Sequence, residues 1–397
     1  MNSFSEKVVI LSAVRTPIGK FGGAFKETSA VSLGVAASVE AIKRAGVSPD
    51  EVDEVIFGMA RQAGNRPNPA RQILYRSGIP VDRPAFTVNK ACASGMKAIT
   101  LACQSLLSGE NRIVLAGGTE NMSQIPYLLD GARWGFRLGD GVLIDAMYRD
   151  GLFCPLAEMI MGETADLLAE KFGISRREQD EYALGSQIKA KRATQQGKFK
   201  DEIVPVAVKG RGGQEVLISE DEHPRPDTTL ESLAKLTPVF RKGGTVTAGN
   251  SSGLTDGAAA LVLTTESEAK KAGVKPLAEV LGFASGAVDP KEMGLGPVPA
   301  TKKVLSSMRL TLGDIDLVEI NEAFAAQVLA CERELKWDPD RRNIKGGAIA
   351  LGHPIGCTGA RITVTLLHSL IQEDKELGLA TLCVSGGQGM ALVLKRL

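Results

Sequence analysis

Short apolar runs alternate with longer amphipathic stretches along most of this chain. Val8-Val9-Ile10-Leu11, Val55-Ile56-Phe57, Arg112-Ile113-Val114-Leu115-Ala116, Ala260-Leu261-Val262-Leu263, Leu317-Val318-Glu319-Ile320 and Ala380-Thr381-Leu382-Cys383-Val384 read as strands. Residues 32–45, 93–107, 176–196 and 359–370 carry the periodicity of helices. Ser108-Gly109 is a stop signal for the second of these. Strands alternating with helices predict an α/β protein with a mostly parallel sheet.

The order of segments repeats. Asp53 to Gly58, then Asn89-Lys90-Ala91-Cys92-Ala93-Ser94-Gly95, then Ile113 to Gly118 has a counterpart in the second half. There, Asp316 to Asn321 precedes Gly352-His353-Pro354-Ile355-Gly356 and then Leu382 to Gly387. This spacing predicts a duplicated α/β unit; coincidence between two α/β stretches is the alternative. Between the halves, residues 120–250 mix charged helices with polar turns such as Lys209-Gly210-Arg211-Gly212-Gly213 and Asp221-Glu222-His223-Pro224-Arg225-Pro226. That texture reads as an insertion carrying ligand contacts. The expected division is 1–120 for the first core half (completed by about 251–275), 121–250 for an inserted loop domain and 276–397 for the second half.

Composition narrows the class. A chain of 397 residues suits two or three compact units, and 44% hydrophobic residues suffice for a large core. A net charge of +1 advertises neither a nucleic-acid nor a membrane partner. Residues 1–7 lack a signal-peptide layout, no apolar run is long enough for a bilayer, and Leu394-Lys395-Arg396-Leu397 is not a peroxisomal address. A cytoplasmic location is therefore expected. No cysteines pair as C-x-x-C, so no metal site is expected, and Cys103, Cys154 and Cys331 read as small core residues. The only histidines are His223, His353 and His368, so an imidazole base must be one of them.

Cys92 sits among Ala91, Ala93, Ser94 and Gly95 at the opening of a helix. Small neighbours leave a nucleophile accessible, and a helix N-terminus favours a thiolate by up to about 2 kcal/mol. A packed core cysteine is the alternative. His353 lies between glycines in a turn before another helix, placed to take a proton from a thiol. Cys383 ends a strand and leads into Ser385-Gly386-Gly387, whose N–H groups can face a developing oxyanion. Asn321 follows another strand; its amide either orients a water or carbonyl, or caps the next helix.

Taken in order, six segments resemble the signature blocks of the thiolase family. They are Ser12-Ala13-Val14-Arg15-Thr16-Pro17, the Cys92 block, Thr245 to Gly253, Asn321-Glu322-Ala323-Phe324-Ala325, Gly352-His353-Pro354, and Cys383 with its glycines. Together they spread over nearly the whole chain. The resemblance implies a duplicated, layered α/β/α/β/α core with an inserted loop domain. It implies Cys92 as acyl-accepting nucleophile, His353 as its base and Cys383 as acid and base on carbon. Asn321, through a water, and His353 would form one oxyanion hole; the backbone N–H groups of Cys92 and Ser385 would form the other. Coenzyme A thioesters would be the substrates, with no permanently bound cofactor and no metal. Arg225 and Ser232 would meet the nucleotide end, Leu152, Ala248, Gly249 and Ser252 would line the pantetheine channel, and Met293 and Phe324 would shape the acyl end. Lys209 and Arg211 stay solvated loop charges.

Two departures qualify the match. Ile160 stands where many acetoacetyl-CoA thiolases carry histidine, which favours a 3-ketoacyl-CoA thiolase of broader chain-length tolerance over an acetoacetyl-CoA-specific one. Ser385 replaces a common glycine, but its backbone N–H survives. The resemblance also implies a role in fatty acid metabolism and a homotetramer built as a pair of dimers, with the apolar residues of 121–138 at the contact. A ketoacyl synthase would lack the second cysteine. An inactive acyl-CoA- or lipid-binding relative would have lost one of the catalytic side chains, and all are present.

Overall fold

The computed structural model describes residues 6–210 and 212–397; Arg211 and residues 1–5 of the N-terminal reading lie outside them. The first core elements are β1 (Val8–Arg15), α1 (Ala30–Ala45), β2 (Glu54–Gly58), β3 (Ala85–Val88), α2 (Ser94–Ser108) and β4 (Ile113–Asn121). After Asn121 the chain leaves the sheet. It forms α3 (Met161–Phe172), α4 (Arg176–Gln195) and several short hairpins before returning in β5 (Thr255–Thr265). The remainder is β6 (Ala278–Ala287), α5 (Pro297–Met308), β7 (Leu317–Ile320), α6 (Ala325–Leu335), α7 (Ile355–Gln372), β8 (Leu377–Val384) and β9 (Gln388–Arg396).

Local chemistry explains the boundaries. Ser29 caps α1 by accepting from Ser32 N–H, and Gly46 ends it in the left-handed region. Gly109 ends α2 in the same way, at the stop read from Ser108-Gly109. β1, β4 and β5 are buried along their whole lengths, which is why their sequences run apolar without alternation.

The sheet order is β7-β8-β9-β6-β1-β5-β4-β2-β3, with Gly19–Lys20 paired to β5 off this path. The expectation of a mostly parallel sheet is wrong. Only β7–β8, β2–β3 and β2–β4 are parallel, and every other neighbouring pair is antiparallel. The β8–β9 connection shows why: residues 385–387 are too few for a crossover, so the chain doubles back as a hairpin.

The repeat is visible in the topology. β3-β2-β4-β5-β1 in the first half is matched by β7-β8-β9-β6 in the second, and a parallel Val318–Arg342 bridge occupies the place of the β2–β3 pair. The halves meet where Val9 pairs Glu279 and Ile10 pairs Ala278. α1 covers one outer face with Leu33 and Ala37 against Phe57 and Leu115, and α5 covers the other with Val304 and Leu305 against Ala391 and Val393. α2 and α7 lie back to back between the two half-sheets, with Met96, Ile99, Ile362 and Leu366 in one shared core. The result is a layered α/β/α/β/α core.

This middle layer positions the chemistry, because the N-termini of α2 and α7 meet beneath one end of the sheet. Gly118 in β4 permits the approach: a methyl there would overlap the Gly356 carbonyl and lie 3.0 Å from Cys357 Cα. We expect Gly118→Ala to destabilise the protein by about 1–3 kcal/mol through overpacking and to displace the turn carrying His353. Urea unfolding checks this; an unchanged midpoint would refute the packing argument.

The excursion between β4 and β5 is tied down by charge. Arg15, fully buried, pairs with Glu202 at 2.6 Å and with Asp221 at 2.6 Å. Burial opposes the guanidinium charge, but the two carboxylates outweigh it and raise its pKa. Lys209 lies exposed in the hairpin Val206–Lys209/Glu215–Ile218, as a solvated charge should. Among the described residues no helix is long and apolar enough to cross a membrane.

Candidate active site

Cys92 occupies a strained turn between β3 and α2. Ala91 before it has φ 45°, a conformation that costs a non-glycine residue about 1–3 kcal/mol. The turn is held by side chains on either side. Ser94 Oγ accepts from Lys90 N–H at 2.9 Å and donates to the Ala91 carbonyl at 2.6 Å, while Asn89 Oδ1 accepts from Ala91 N–H at 2.9 Å. The half-buried thiol thus faces a cavity rather than the core. Burial pushes its pKa up, outweighing Arg61 and the backbone N–H groups of Ser385 and Cys92, which lower it in the direction expected of a helix start. The helix start alone does not make a thiolate here, so the thiol needs a base.

His353 is the candidate, on the same cavity wall. Its Nδ1 lies 2.6 Å from Thr358 Oγ1, and that hydroxyl donates to the Pro354 carbonyl at 2.9 Å. The hydroxyl proton being used, Nδ1 must be the donor, which leaves a bare lone pair on Nε2. Asn321 Nδ2 approaches that Nε2 at 3.5 Å. Burial, with Arg361 and Arg61 nearby, drives the His353 pKa down to about 3. The ring is therefore neutral, and His353 lines the same cavity as Cys92. The other histidines are otherwise engaged: His368 Nε2 contacts the Ala13 carbonyl at 2.9 Å in the core, and His223 Nδ1 contacts the Ala350 carbonyl at 2.8 Å.

Cys383, at the end of β8, is buried, and its thiol is pushed well above the usual range by burial and then by Cys92 and Cys331. The following turn has Gly386 at φ 82° and Gly387 at φ 81°, left-handed positions that glycine fills without strain. That turn aims Ser385 N–H at Cys92. Asn321 does not cap a helix: α6 begins at Ala325, after Phe324, with no side-chain cap. Asn321 is fully buried instead, and its Oδ1 has no hydrogen-bond partner among the described residues.

Cys92, His353, Cys383 and Ser385 converge on one cavity of about 370 Å³. Leu152, Arg225, Ala248, Ser252, Met293 and Phe324 line it, while Asn321 lies beside His353 Nε2 and outside the wall. Gly249 and Ser232 lie in an adjoining cleft that shares His223, Arg225 and Ala248 with the main cavity. Ser232 Oγ is engaged in its own helix cap with Thr229. Ile160 also lines the main cavity, so the departure noted in the sequence falls at the site itself.

Sequence reasoning missed several supports. Glu120 accepts from Ala60, Arg61 and Gly356 N–H groups at 3.0, 3.1 and 2.9 Å, joining the loop after β2 to the first turn of α7. Burial raises its pKa to about 7 against those hydrogen bonds. Thr358 fixes the histidine tautomer, and Arg61 adds a cation to the wall. Thr358, five residues past His353 on a helix start, was the one signal available in the sequence.

Models of the thiolase N-terminal and C-terminal domains match residues 8–267 and 274–396. This chain belongs to the thiolase family. Among curated thiolase relatives, a probable acetyl-CoA acyltransferase of Staphylococcus aureus strain N315 is 51% identical over 98% of this chain and 99% of its own. An acetyl-CoA acetyltransferase of Cupriavidus necator is 50% identical with the same coverage. Among solved structures, the Bacillus anthracis acetyl-CoA acetyltransferase superposes with TM-score 0.97 at 49% identity, covering 99% of both chains. The human mitochondrial 3-ketoacyl-CoA thiolase gives TM-score 0.95 at 44% identity, covering 98% of this chain and 99% of that one. The thiolase described here is accordingly an acyltransferase enzyme.

Proposed function

We propose that this thiolase transfers acyl groups between Cys92 and coenzyme A while cleaving 3-ketoacyl-CoA, or condensing acetyl-CoA in reverse. The observation that carries this reading is the convergence of two cysteines and a neutral imidazole on one largely apolar cavity. In the cleaving direction His353 Nε2 takes the Cys92 proton and the thiolate attacks the 3-keto carbon. Backbone N–H groups of Cys92 and Ser385 receive one oxyanion. Acetyl-CoA leaves as an enolate, held by His353 and by a water on Asn321, and Cys383 protonates its carbon. A second coenzyme A then takes the acyl group from Cys92. Each oxyanion donor is worth roughly 10²–10³ in rate. No permanently bound cofactor enters these steps. A human mitochondrial 3-ketoacyl-CoA thiolase with TM-score 0.95 was solved in complex with CoA, which supports coenzyme A thioesters as substrates.

Arg225, exposed at the cavity mouth, and Ser232 beside it suit the nucleotide end. Leu152, Ala248, Gly249 and Ser252 suit pantetheine, and Met293 and Phe324 the acyl group. Ile160 in place of a polar residue supports tolerance of longer 3-ketoacyl chains, in fatty acid metabolism. Rates over a series of 3-ketoacyl-CoA chain lengths test this: activity beyond the acetoacetyl substrate is expected, and activity confined to it would refute the tolerance.

The depressed His353 pKa fixes a pH dependence. Its base form persists from neutral pH down toward about 3. Acylation of Cys92 by acetyl-CoA should therefore show no loss of rate through the ordinary histidine range near 6.5. A steep drop there would contradict the neutral-imidazole assignment.

For assembly we infer a homotetramer made from two dimers. Residues 121–250 form the inserted domain that carries coenzyme A contacts and this interface. Residues 1–120, with about 251–275, and residues 276–397 form the two core halves. The support is an apolar surface at the hairpin Tyr127–Leu129/Leu143–Asp145, where Trp134 is 88% and Leu138 98% exposed. Light scattering should give four times the 41.9 kDa chain; a monomer mass would refute assembly, and a dimer mass would remove the role of residues 121–138. Six free thiols suit the reducing cytoplasm.

A further inference from the structure

Arg61 influences Cys92 and His353 through space, but the proposed catalytic steps give its guanidinium no bond to make. It follows β2, is half-buried, and shares the wall with Cys92 and Leu152. Its Nη2 donates to the Gly151 carbonyl at 2.8 Å and its Nη1 to the Ala60 carbonyl at 3.3 Å. The buried Nε has no partner, and no carboxylate pairs with the guanidinium among the described residues. The nearby acid, Glu120, spends its oxygens on the N–H groups of Ala60, Arg61 and Gly356. Three of the five guanidinium donors therefore stay open.

An unpaired guanidinium is costly beside Leu152, Met122 and Ile355, and fixing the loop at Gly151 requires only a neutral donor. The planar fork of arginine suits a carboxylate, which accepts two parallel N–H bonds. The phosphates of coenzyme A belong at the Arg225 mouth on the reading above, and pantetheine carries no anion. Arg61 shares the wall with Cys92, where the acyl group is attached, so an anion at Arg61 would be the far end of an acyl chain folded toward Leu152 and away from Met293 and Phe324.

We propose that Arg61 is a specificity-determining residue that selects 3-ketoacyl-CoA substrates whose acyl chain ends in a carboxylate. This rests on the thiolase reading of the same cavity and narrows its substrate class. A chain anchored by the Cys92 thioester at one end and by Arg61 at the other has its reacting carbon fixed between them, while a methyl-ended chain leaves the guanidinium desolvated and unpaired.

The test compares two 3-ketoacyl-CoA substrates of equal chain length, one ending in a methyl group and one in a carboxylate. The readout is the ratio of their kcat/KM values in the wild type, R61M and R61K. The wild type should favour the carboxylate, and R61M should lower that ratio about 10²-fold, as expected for losing one partner of a desolvated charge pair. R61K, which keeps the charge, should retain part of the preference. An R61M ratio equal to that of the wild type would overturn the proposal, as would a wild type that prefers the methyl-ended substrate. A fall of both substrates by the same factor would also overturn it, assigning Arg61 to Cys92 instead. A wild type that cleaves neither compound would sink the thiolase reading itself, a result separate from a lost preference.

Discussion

Replacing Cys92 by serine should lower thiolysis of a 3-ketoacyl-CoA by at least about 10⁴-fold, the scale on which loss of a covalent nucleophile is felt. The geometry makes this specific to Cys92. Its thiol alone stands on the strained Ala91 turn, half-buried above the start of α2, with Ser385 N–H directed at it. Cys103, Cys331 and Cys357 are buried away from the cavity wall, with thiols pushed up to about 12. Serine keeps the size of the side chain, but its hydroxyl is far less acidic than a thiol. The proton transfer to His353 that a thiol can make is therefore much less favourable from serine. The fold should be unaffected, so an equal unfolding midpoint must accompany the loss. Activity within 10-fold of wild type would place the nucleophile elsewhere.

Cys383→Ala should divide the reaction instead of abolishing it. Acylation of Cys92 by acetyl-CoA involves no bond to the acetyl methyl carbon, so it should continue. Exchange of the acetyl methyl protons with solvent requires a base at that carbon and should fall by about 10²–10⁴-fold. The buried thiol of Cys383, held protonated by its surroundings and by Cys92, is suited to return a proton to the enolate. Mass spectrometry follows the first step and deuterium incorporation the second. Undiminished exchange in the variant would remove Cys383 from its role, and loss of acylation as well would show that the two thiols act as one unit.

The candidate site was legible in the sequence because each of its residues sits in a local pattern. Small residues flank Cys92, glycines and Pro354 bracket His353, and the turn after Cys383 needs its glycines. The resemblance joined these into one site, and the cavity contains them all except Asn321, which contacts His353 Nε2 from outside the wall. The repeat was legible for a similar reason, since duplicated strands keep their apolar runs. Strand direction was not: it depends on whether residues 385–387 form a crossover or a hairpin, and apolar pattern does not distinguish these. The helix start does favour the Cys92 thiolate through its backbone N–H, but burial, set by the whole fold, outweighs it. Glu120 and Arg61 were invisible for the same reason. Glu120 grips Gly356, 236 positions away, and nothing near Arg61 in sequence announces the cavity it faces.

The most direct measurement is a single-turnover experiment on the wild type. The protein is mixed with a 3-ketoacyl-CoA in the absence of free coenzyme A, digested, and its cysteine peptides are weighed. The account predicts an acyl group on the peptide containing Cys92, released acetyl-CoA in equal amount, and disappearance of the adduct when coenzyme A is added. An adduct on Cys383 or Cys357, or bound substrate with no adduct and no acetyl-CoA, would contradict it.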